Sequence, residues 1–111
     1  MDDGKTFKRK DTGKPRMELI DSTAELDLAV ILTQGAKKYT PDGWRGGIDL
    51  EDGDDRIMGA LMRHVNAIRR GEVYDEESGM PHAAHVMCNA MFLTWYCRER
   101  ERRNHGEPVC P

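Results

Sequence analysis

Long apolar runs are missing from this 111-residue chain. No stretch approaches the roughly 20 consecutive apolar residues that cross a bilayer, and the N-terminal MDDGKTFKRK has no apolar core behind its charges. The sequence therefore predicts neither a membrane span nor a secretory signal. We expect a cytoplasmic protein that does not associate with membranes.

Cysteines are few as well. Cys88, Cys97 and Cys110 are odd in number and are never spaced C-x-x-C, so neither a disulfide framework nor a zinc knuckle is predicted. Cys88 and Cys97 fall within an apolar segment, and we interpret both as small hydrophobic residues of a packed core.

Neither sign of charge is in large excess. The chain has 17 Lys and Arg against 20 Asp and Glu, which gives a net charge of −3. This balance is not that of a nucleic-acid coat, and no nucleic acid polymer is expected as a partner. Because 33% of the residues are charged and only 38% are hydrophobic, one small domain with a limited core is expected. Such a domain gains buried surface by forming a homo-oligomer.

Three segments have the pattern of helices, and no convincing alternating strand pattern is present. In the first, Ser22 and Glu25 have capping-box spacing and Gly35 is placed to end the helix. The segment between them is apolar nearly all round, which predicts burial on most sides. The sequence therefore predicts an all-α fold, a small helical hairpin or bundle of about three main helices.

The second and third helices complete this prediction. The second begins near Asp54 or Asp55 and ends at Gly71, and the third begins at Pro81 and runs to about Cys97. We divide the chain into a flexible basic arm at 1–16, a helical domain at 17–97, and a charged helix end and tail at 98–111.

A polar stripe follows one face of the third helix. His82, His85 and Asn89 have the spacing i, i+3, i+7, so they project from one side. His64 shares an inward row of the second helix and meets the stripe if the two helices form an antiparallel hairpin. Two interpretations stay open, a structural polar network or a set of catalytic groups.

The connection between these helices is acidic and carries Glu72, Asp75, Glu76 and Glu77. Such clusters are most often solvated turns. The alternative is a metal site, since Mg²⁺ and Mn²⁺ take carboxylate oxygens and substrate phosphates complete their coordination.

The connection after the first helix is basic and aromatic, and its candidate substrate-binding residues are Lys37, Lys38, Tyr39, Trp44 and Arg45. Lys37 and Lys38 also suit a helix C-terminus without any ligand. Trp44 offers a stacking face for a base, and Arg45 a planar fork for phosphate. Arg63, beside His64, adds a further phosphate-facing cation. Neither G-x-x-x-x-G-K-[ST] nor G-x-G-x-x-G occurs.

The succession GAKKYTPDGWRGG and then ALMRHVNAIRRGEVYDEESGMPHAAHVMCNAMFL resembles the dATP/dGTP diphosphohydrolase N-terminal family of phages and bacteria, over roughly residues 18–97. The resemblance implies an enzyme that cleaves purine deoxynucleoside triphosphates to the monophosphate and pyrophosphate with a divalent metal, in the host cytoplasm if the protein is phage-encoded. The residues that match the family pattern are Lys38, Tyr39, Trp44, Arg45, Arg63, His64, Glu72, Asp75, Glu77, His82, His85 and Asn89.

The chain is more distantly similar to MazG-like all-α nucleotide pyrophosphohydrolases, which are oligomers of helical hairpins. Those enzymes carry metal-binding carboxylates as E-x-x-E on one helix and E-x-x-D on the next. Here His82-x-x-His85 stands where E-x-x-D is expected.

These observations give one main hypothesis and two alternatives. In the first, the acidic residues hold Mg²⁺ or Mn²⁺, the basic residues neutralise the phosphates, and His82 or His85 is a metal ligand or general base. One alternative is an HD-like phosphohydrolase with histidine-bound metal. The other is a non-catalytic helical module that binds a nucleotide or a protein.

Overall fold

The computed structural model describes residues 13–38, 43–46 and 53–104, with the exception of the Asp54 side chain. A 3₁₀ turn at Met17–Leu19 precedes four helices: α1 (Ser22–Lys38), α2 (Gly43–Gly46), α3 (Gly53–Arg69) and α4 (His82–Arg103). Among these residues β pairing is limited to an isolated bridge between Tyr74 and Pro81. The all-α prediction with three main helices is therefore confirmed. No helix in the described ranges is long and apolar enough to cross a membrane.

Both predicted ends of α1 were wrong. The capping side chain is Asp21, whose Oδ2 accepts the Ala24 N–H at 2.8 Å, so Ser22 is the first helical residue instead of the cap. Gly35 does not end the helix, because it lacks the positive φ of a C-terminal glycine and good helix formers follow it. The helix continues to Lys38, which brings both lysines of GAKK onto its last turn.

The prediction that α1 is buried on most sides was also wrong. Its one buried residue is Ile31, and Leu26 is 63% exposed. The reason is that α1 packs mainly against α4, so one side of a helix that is apolar nearly all round stays uncovered in the single chain.

The helix α3 ends at Arg69, and Gly71 forms its C-terminal stop as the sequence predicts. Gly71 has a φ of +90°, and its N–H donates to the Ile68 carbonyl at 2.9 Å. The Glu72 N–H donates to the Ala67 carbonyl at 3.0 Å. These two bonds form a Schellman motif, which satisfies the last carbonyls of the helix and turns the chain towards α4.

The connection from α3 to α4 is short and closed at its base. The His82 N–H donates to the Val73 carbonyl at 2.8 Å, beside the Tyr74–Pro81 bridge. Helices α3 and α4 therefore form the predicted hairpin, with Pro81 as the residue before the first turn of α4. The last turns of α4 extend beyond Cys97 to Arg103, and Glu99 pairs there with Arg102 and Arg103.

The core lies where α1 crosses this hairpin. Ile31, Ala84 and Cys88 are buried together, with Leu28, Leu32, Met80, Met87 and Phe92 packed around them. Burial raises the pKa of the Cys88 thiol to about 11, so this residue is an inert apolar side chain as interpreted. Cys97 is disulfide-bonded, and its interpretation as a small hydrophobic thiol was wrong.

An aromatic cluster fixes α2 against α4. Tyr96 is fully buried, and its hydroxyl donates to the Trp44 carbonyl at 2.7 Å. The Trp44 ring stacks on Phe92 with centroids 4.7 Å apart and meets Trp95 edge-on at 5.3 Å. The Trp44 ring and the hydrogen bond from the Tyr96 hydroxyl to the Trp44 carbonyl hold this short helix against α4.

Candidate active site

A cavity of about 840 Å³ lies between α1, α3, the connection and the start of α4. Its wall combines groups of opposite charge. The cationic residues of the wall are Lys37, Lys38, Arg63 and Arg70, the acidic residues are Glu72, Asp75 and Glu77, and the histidines are His64, His82 and His85. The volume is within the usual range of small-molecule sites.

The three histidines meet as the hairpin prediction requires. His64 Nδ1 and His82 Nδ1 are 2.8 Å apart, and the His64 ring stacks on His85 with centroids 4.4 Å apart and an interplanar angle of 6°. The His82 side chain is only 8% exposed. Asn89 behaves differently, because its amide donates to the His85 carbonyl at 2.9 Å and it is not among the described residues that line the cavity.

Asp75 is held by a tight turn of the connection. Its N–H donates to the Met80 carbonyl and its own carbonyl accepts the Gly79 N–H, both at 2.8 Å. Its Oδ2 accepts the Ser78 N–H at 2.8 Å and lies 3.8 Å from His85 Nε2. Burial opposes ionisation of this carboxyl, but the Ser78 hydrogen bonds and the nearby histidines hold its pKa below the usual range. Asp75 is therefore an anion next to the imidazoles.

Sequence reasoning missed two residues that organise this turn. Ser78 Oγ lies 2.6 Å from His85 Nε2 and accepts the Met80 N–H at 3.1 Å. The Ser78 carbonyl accepts a hydrogen bond from Gln34 Nε2 at 3.1 Å, which ties the turn to α1. Ser78 directly follows Glu77 in the sequence, but it carries no charge, and a search for titratable groups passes over it.

The imidazoles of His64 and His85 favour their neutral form. Burial lowers the pKa of both His64 and His85, and repulsion from neighbouring imidazolium groups lowers each further. The carboxylate of Asp75 opposes this effect without overcoming it. Neutral imidazoles have a free lone pair, which can accept a proton or bind a metal.

The acidic side chains at the edge of the cavity face cations. Glu77 Oε2 lies 3.5 Å from Lys38 Nζ, and Glu72 Oε2 accepts a hydrogen bond from Arg70 Nε at 2.9 Å. Glu72 also approaches His82 Nε2 at 3.9 Å. Glu76 is exposed and is not among the described lining residues.

The predicted substrate residues fall into two groups. Lys37, Lys38 and Arg63 line the cavity, whereas Trp44 and Arg45 are not among its described lining residues. The Arg45 guanidinium lies 4.4 Å from the centroid of the Trp44 ring. Tyr39 lies outside the described residues. All assigned roles stay predictions.

One set of side chains in the described ranges has the arrangement of a metal site. His64, Asp75 and His82 each offer a ligand atom, and the three atoms lie within 4.8 Å of one another. Of the four acidic residues predicted as ligands, this set includes Asp75 alone. Two imidazoles and a carboxylate form a donor set that fits a divalent metal ion.

Fold and cavity together define a small all-α domain whose cavity is lined by histidines, carboxylates and cationic side chains. The chain belongs to the dATP/dGTP diphosphohydrolase N-terminal family, whose sequence profile matches residues 4–105, and the resemblance stated above is confirmed. It is 33% identical over 90 residues to the dATP/dGTP diphosphohydrolase of Salmonella phage PMBT28. The alignment covers 81% of this chain and 29% of that relative, so the chain spans less than a third of the relative's length. No solved structure matches the chain.

Proposed function

We propose that this domain takes part in metal-dependent hydrolysis of purine deoxynucleoside triphosphates, dATP and dGTP, to the monophosphate and pyrophosphate. The observation that carries the proposal is the cavity, in which three histidines and Asp75 lie beside four cationic side chains. A metal–polyphosphate complex needs this combination of ligands and countercharge. Family membership and the name of the phage relative support the same substrate class.

The cationic edge binds the phosphates in this proposal. Lys37 and Lys38 on α1 and Arg63 on α3 line the cavity, where they would neutralise charge that develops on the phosphate oxygens. Lys38 would exchange its exposed contact with Glu77, 3.5 Å away, for a phosphate. That exchange costs little, because exposed ion pairs contribute at most about 1 kcal/mol.

The divalent metal, Mg²⁺ or Mn²⁺ by the family resemblance, would be held by Asp75 with the neighbouring histidines. When bound, it supplies countercharge to the phosphates and lowers the pKa of water. Glu72 and Glu77 line the same cavity and would add negative charge near the metal.

His85 is the proposed general base. Its lowered pKa keeps the imidazole neutral, and its Nε2 would take the proton of the water that attacks the α-phosphorus, directly or through the Ser78 hydroxyl 2.6 Å away. Stacking against His64 fixes the plane of the ring. A positioned base of this kind contributes about 10²–10⁴-fold to a rate.

A second candidate function follows from the donor set itself. Because His64 and His82 belong to the group that can hold a metal, an HD-like nucleotide phosphohydrolase with histidine-bound metal is the alternative. Its products from dATP would include inorganic phosphate or tripolyphosphate instead of pyrophosphate.

The proposal includes a homo-oligomer in the host cytoplasm. Large apolar side chains stay exposed on the single chain, among them Leu26 on α1 and Met58 and Met62 on α3. Light scattering coupled to size-exclusion chromatography measures the oligomeric state, and a monomer at all concentrations would contradict this part of the proposal.

The deciding experiment is incubation of the chain with dATP or dGTP and Mg²⁺ or Mn²⁺, followed by phosphorus NMR. Pyrophosphate and monophosphate support the proposed reaction, whereas tripolyphosphate or inorganic phosphate supports the alternative. The variant Asp75→Asn should abolish turnover, and Asp27→Asn on α1, the matched control, should keep it. Absence of turnover with every nucleotide and metal would refute both enzyme functions and favour a non-catalytic binding module.

A further inference from the structure

We infer that His64, Asp75 and His82 form a site selective for a first-row transition cation, of the Mn²⁺, Fe²⁺ or Co²⁺ class, over Mg²⁺. The inference rests on the proposed function, since it names the class of metal at the same site. It concerns equilibrium binding, however, and can be tested without a nucleotide.

The chemistry of the donors is the first argument. Mg²⁺ takes oxygen ligands almost exclusively and is usually held by one or two carboxylates, waters and substrate phosphates. Imidazole nitrogen suits the transition cations instead. Two of the three donors here are imidazoles, and the carboxylates of Glu72 and Glu77 already face Arg70 and Lys38.

The second argument is the short contact between the two imidazoles. His64 Nδ1 and His82 Nδ1 are 2.8 Å apart, so without a cation one nitrogen must keep a proton and the other must accept it. Two imidazole nitrogens bound to one ion at 2.0–2.1 Å with a right angle between them are about 2.9 Å apart. The two nitrogens therefore already have the separation of two ligands of one ion; to bind it, the shared proton moves to Nε2 of its own ring and both rings turn so that their lone pairs converge on the ion.

The third argument is that contacts outside the donor set already orient each donor. The Nε2 of His82 lies on the side of Glu72, 3.9 Å from its Oε1, as in carboxylate–histidine–metal arrangements, while its Nδ1 lies against His64 Nδ1. Asp75 uses Oδ2 to accept the Ser78 N–H, which leaves Oδ1 for a cation. The His64 ring is held by stacking on His85.

Equilibrium titration of the tag-free chain with Co²⁺, Mn²⁺ and Mg²⁺, in the absence of nucleotide, tests the inference. Co²⁺ and Mn²⁺ should bind on the order of 100-fold more tightly than Mg²⁺. The visible absorption spectrum of bound Co²⁺ reports nitrogen ligation independently of any activity.

Variants identify the ligands. His64→Gln, Asp75→Asn and His82→Gln should each weaken Co²⁺ binding by at least about tenfold, whereas the control Asp27→Asn should change it by less than about threefold. Circular dichroism checks folding, which matters most for His82 because its side chain is buried. If His82→Gln does not fold, His64→Gln and Asp75→Asn still test the ligand assignment, since these two side chains are only half-buried.

Two results would overturn the inference. One is Mg²⁺ binding as tight as that of Co²⁺, and the other is Co²⁺ affinity that none of the three ligand variants changes. Selective Co²⁺ binding without turnover of any nucleotide would support the inference and refute the proposed function. Turnover of a nucleotide with equal affinity for Mg²⁺ and Co²⁺ would support the proposed function and refute the inference.

Discussion

Ser78→Ala tests whether the turn that holds Asp75 depends on a serine hydroxyl. The substitution removes two half-buried interactions, one with His85 Nε2 at 2.6 Å and one with the Met80 N–H at 3.1 Å. The main-chain bonds of the same residue, to Asp75 and Gln34, are retained. The variant therefore separates the hydroxyl from the rest of the turn.

The expected loss follows from these two bonds. A typical intramolecular hydrogen bond contributes about 0.5–1.5 kcal/mol to stability, so the free energy of unfolding should fall by about 1–3 kcal/mol. In a domain of about 100 residues, each kcal/mol lowers the melting temperature by about 4–8 °C.

Urea unfolding followed by circular dichroism measures this change. Ser22→Ala is the matched control, because Ser22 is exposed at the start of α1, and surface substitutions of this kind stay within about 0.5 kcal/mol. A loss for Ser78→Ala no larger than that of Ser22→Ala would refute the assignment of the hydroxyl as a support of the turn.

Three further predictions concern stability. Asp21→Ala should lower the free energy of unfolding by about 1 kcal/mol, because it removes the capping side chain of α1. The control Ser22→Ala should lower it by less than about 0.5 kcal/mol. Equal losses for the two variants would contradict the observed cap. Tyr96→Phe should lower the free energy of unfolding by about 1–2 kcal/mol, because the half-buried Trp44 carbonyl of α2 loses the hydroxyl that donates to it. An unchanged urea midpoint would contradict this prediction. Since the folded state lowers the pKa of His64 and His85, the unfolded chain binds more protons near their usual pKa of about 6.5. The free energy of unfolding should therefore fall as the pH drops from 7.5 to about 5.5, and greater stability at the lower pH would refute the role of burial.

The parts of the fold that are periodic and local could be predicted from the sequence. The hairpin of α3 and α4 follows from apolar spacing and the glycine at its turn, and the same spacing places His64 near His82 and His85. These relations depend on helix geometry alone, which short-range pattern describes well.

The prediction failed where two local signals compete or where tertiary packing decides. Asp21 and Ser22 are both good caps, and their order along the chain does not say which one accepts the Ala24 N–H. Gly35 has the residue type of a helix end, but the chain keeps helical φ there. Burial of α1 could not be read from its composition, because which helix covers which face depends on the tertiary arrangement.

The candidate site shows the same division. Asp75 stands out by its charge, while Ser78 became visible only through its distance from His85. Trp44 was assigned to a base because it precedes an arginine and two glycines. Its stacking on Phe92, 48 residues further along the sequence, is a long-range contact that such a motif cannot reveal.

The three metal-donor residues are separated by only 18 positions, from His64 to His82, and all lie in the α3–α4 hairpin. Bringing the ends of such a short segment together costs little chain entropy, and contacts between near neighbours form early in folding. We therefore expect the donor set to assemble with the hairpin, before α1 docks. Lys37 and Lys38 come from the end of α1, so these two cations join the cavity only when α1 docks, whereas Arg63 and Arg70 are already part of the hairpin segment.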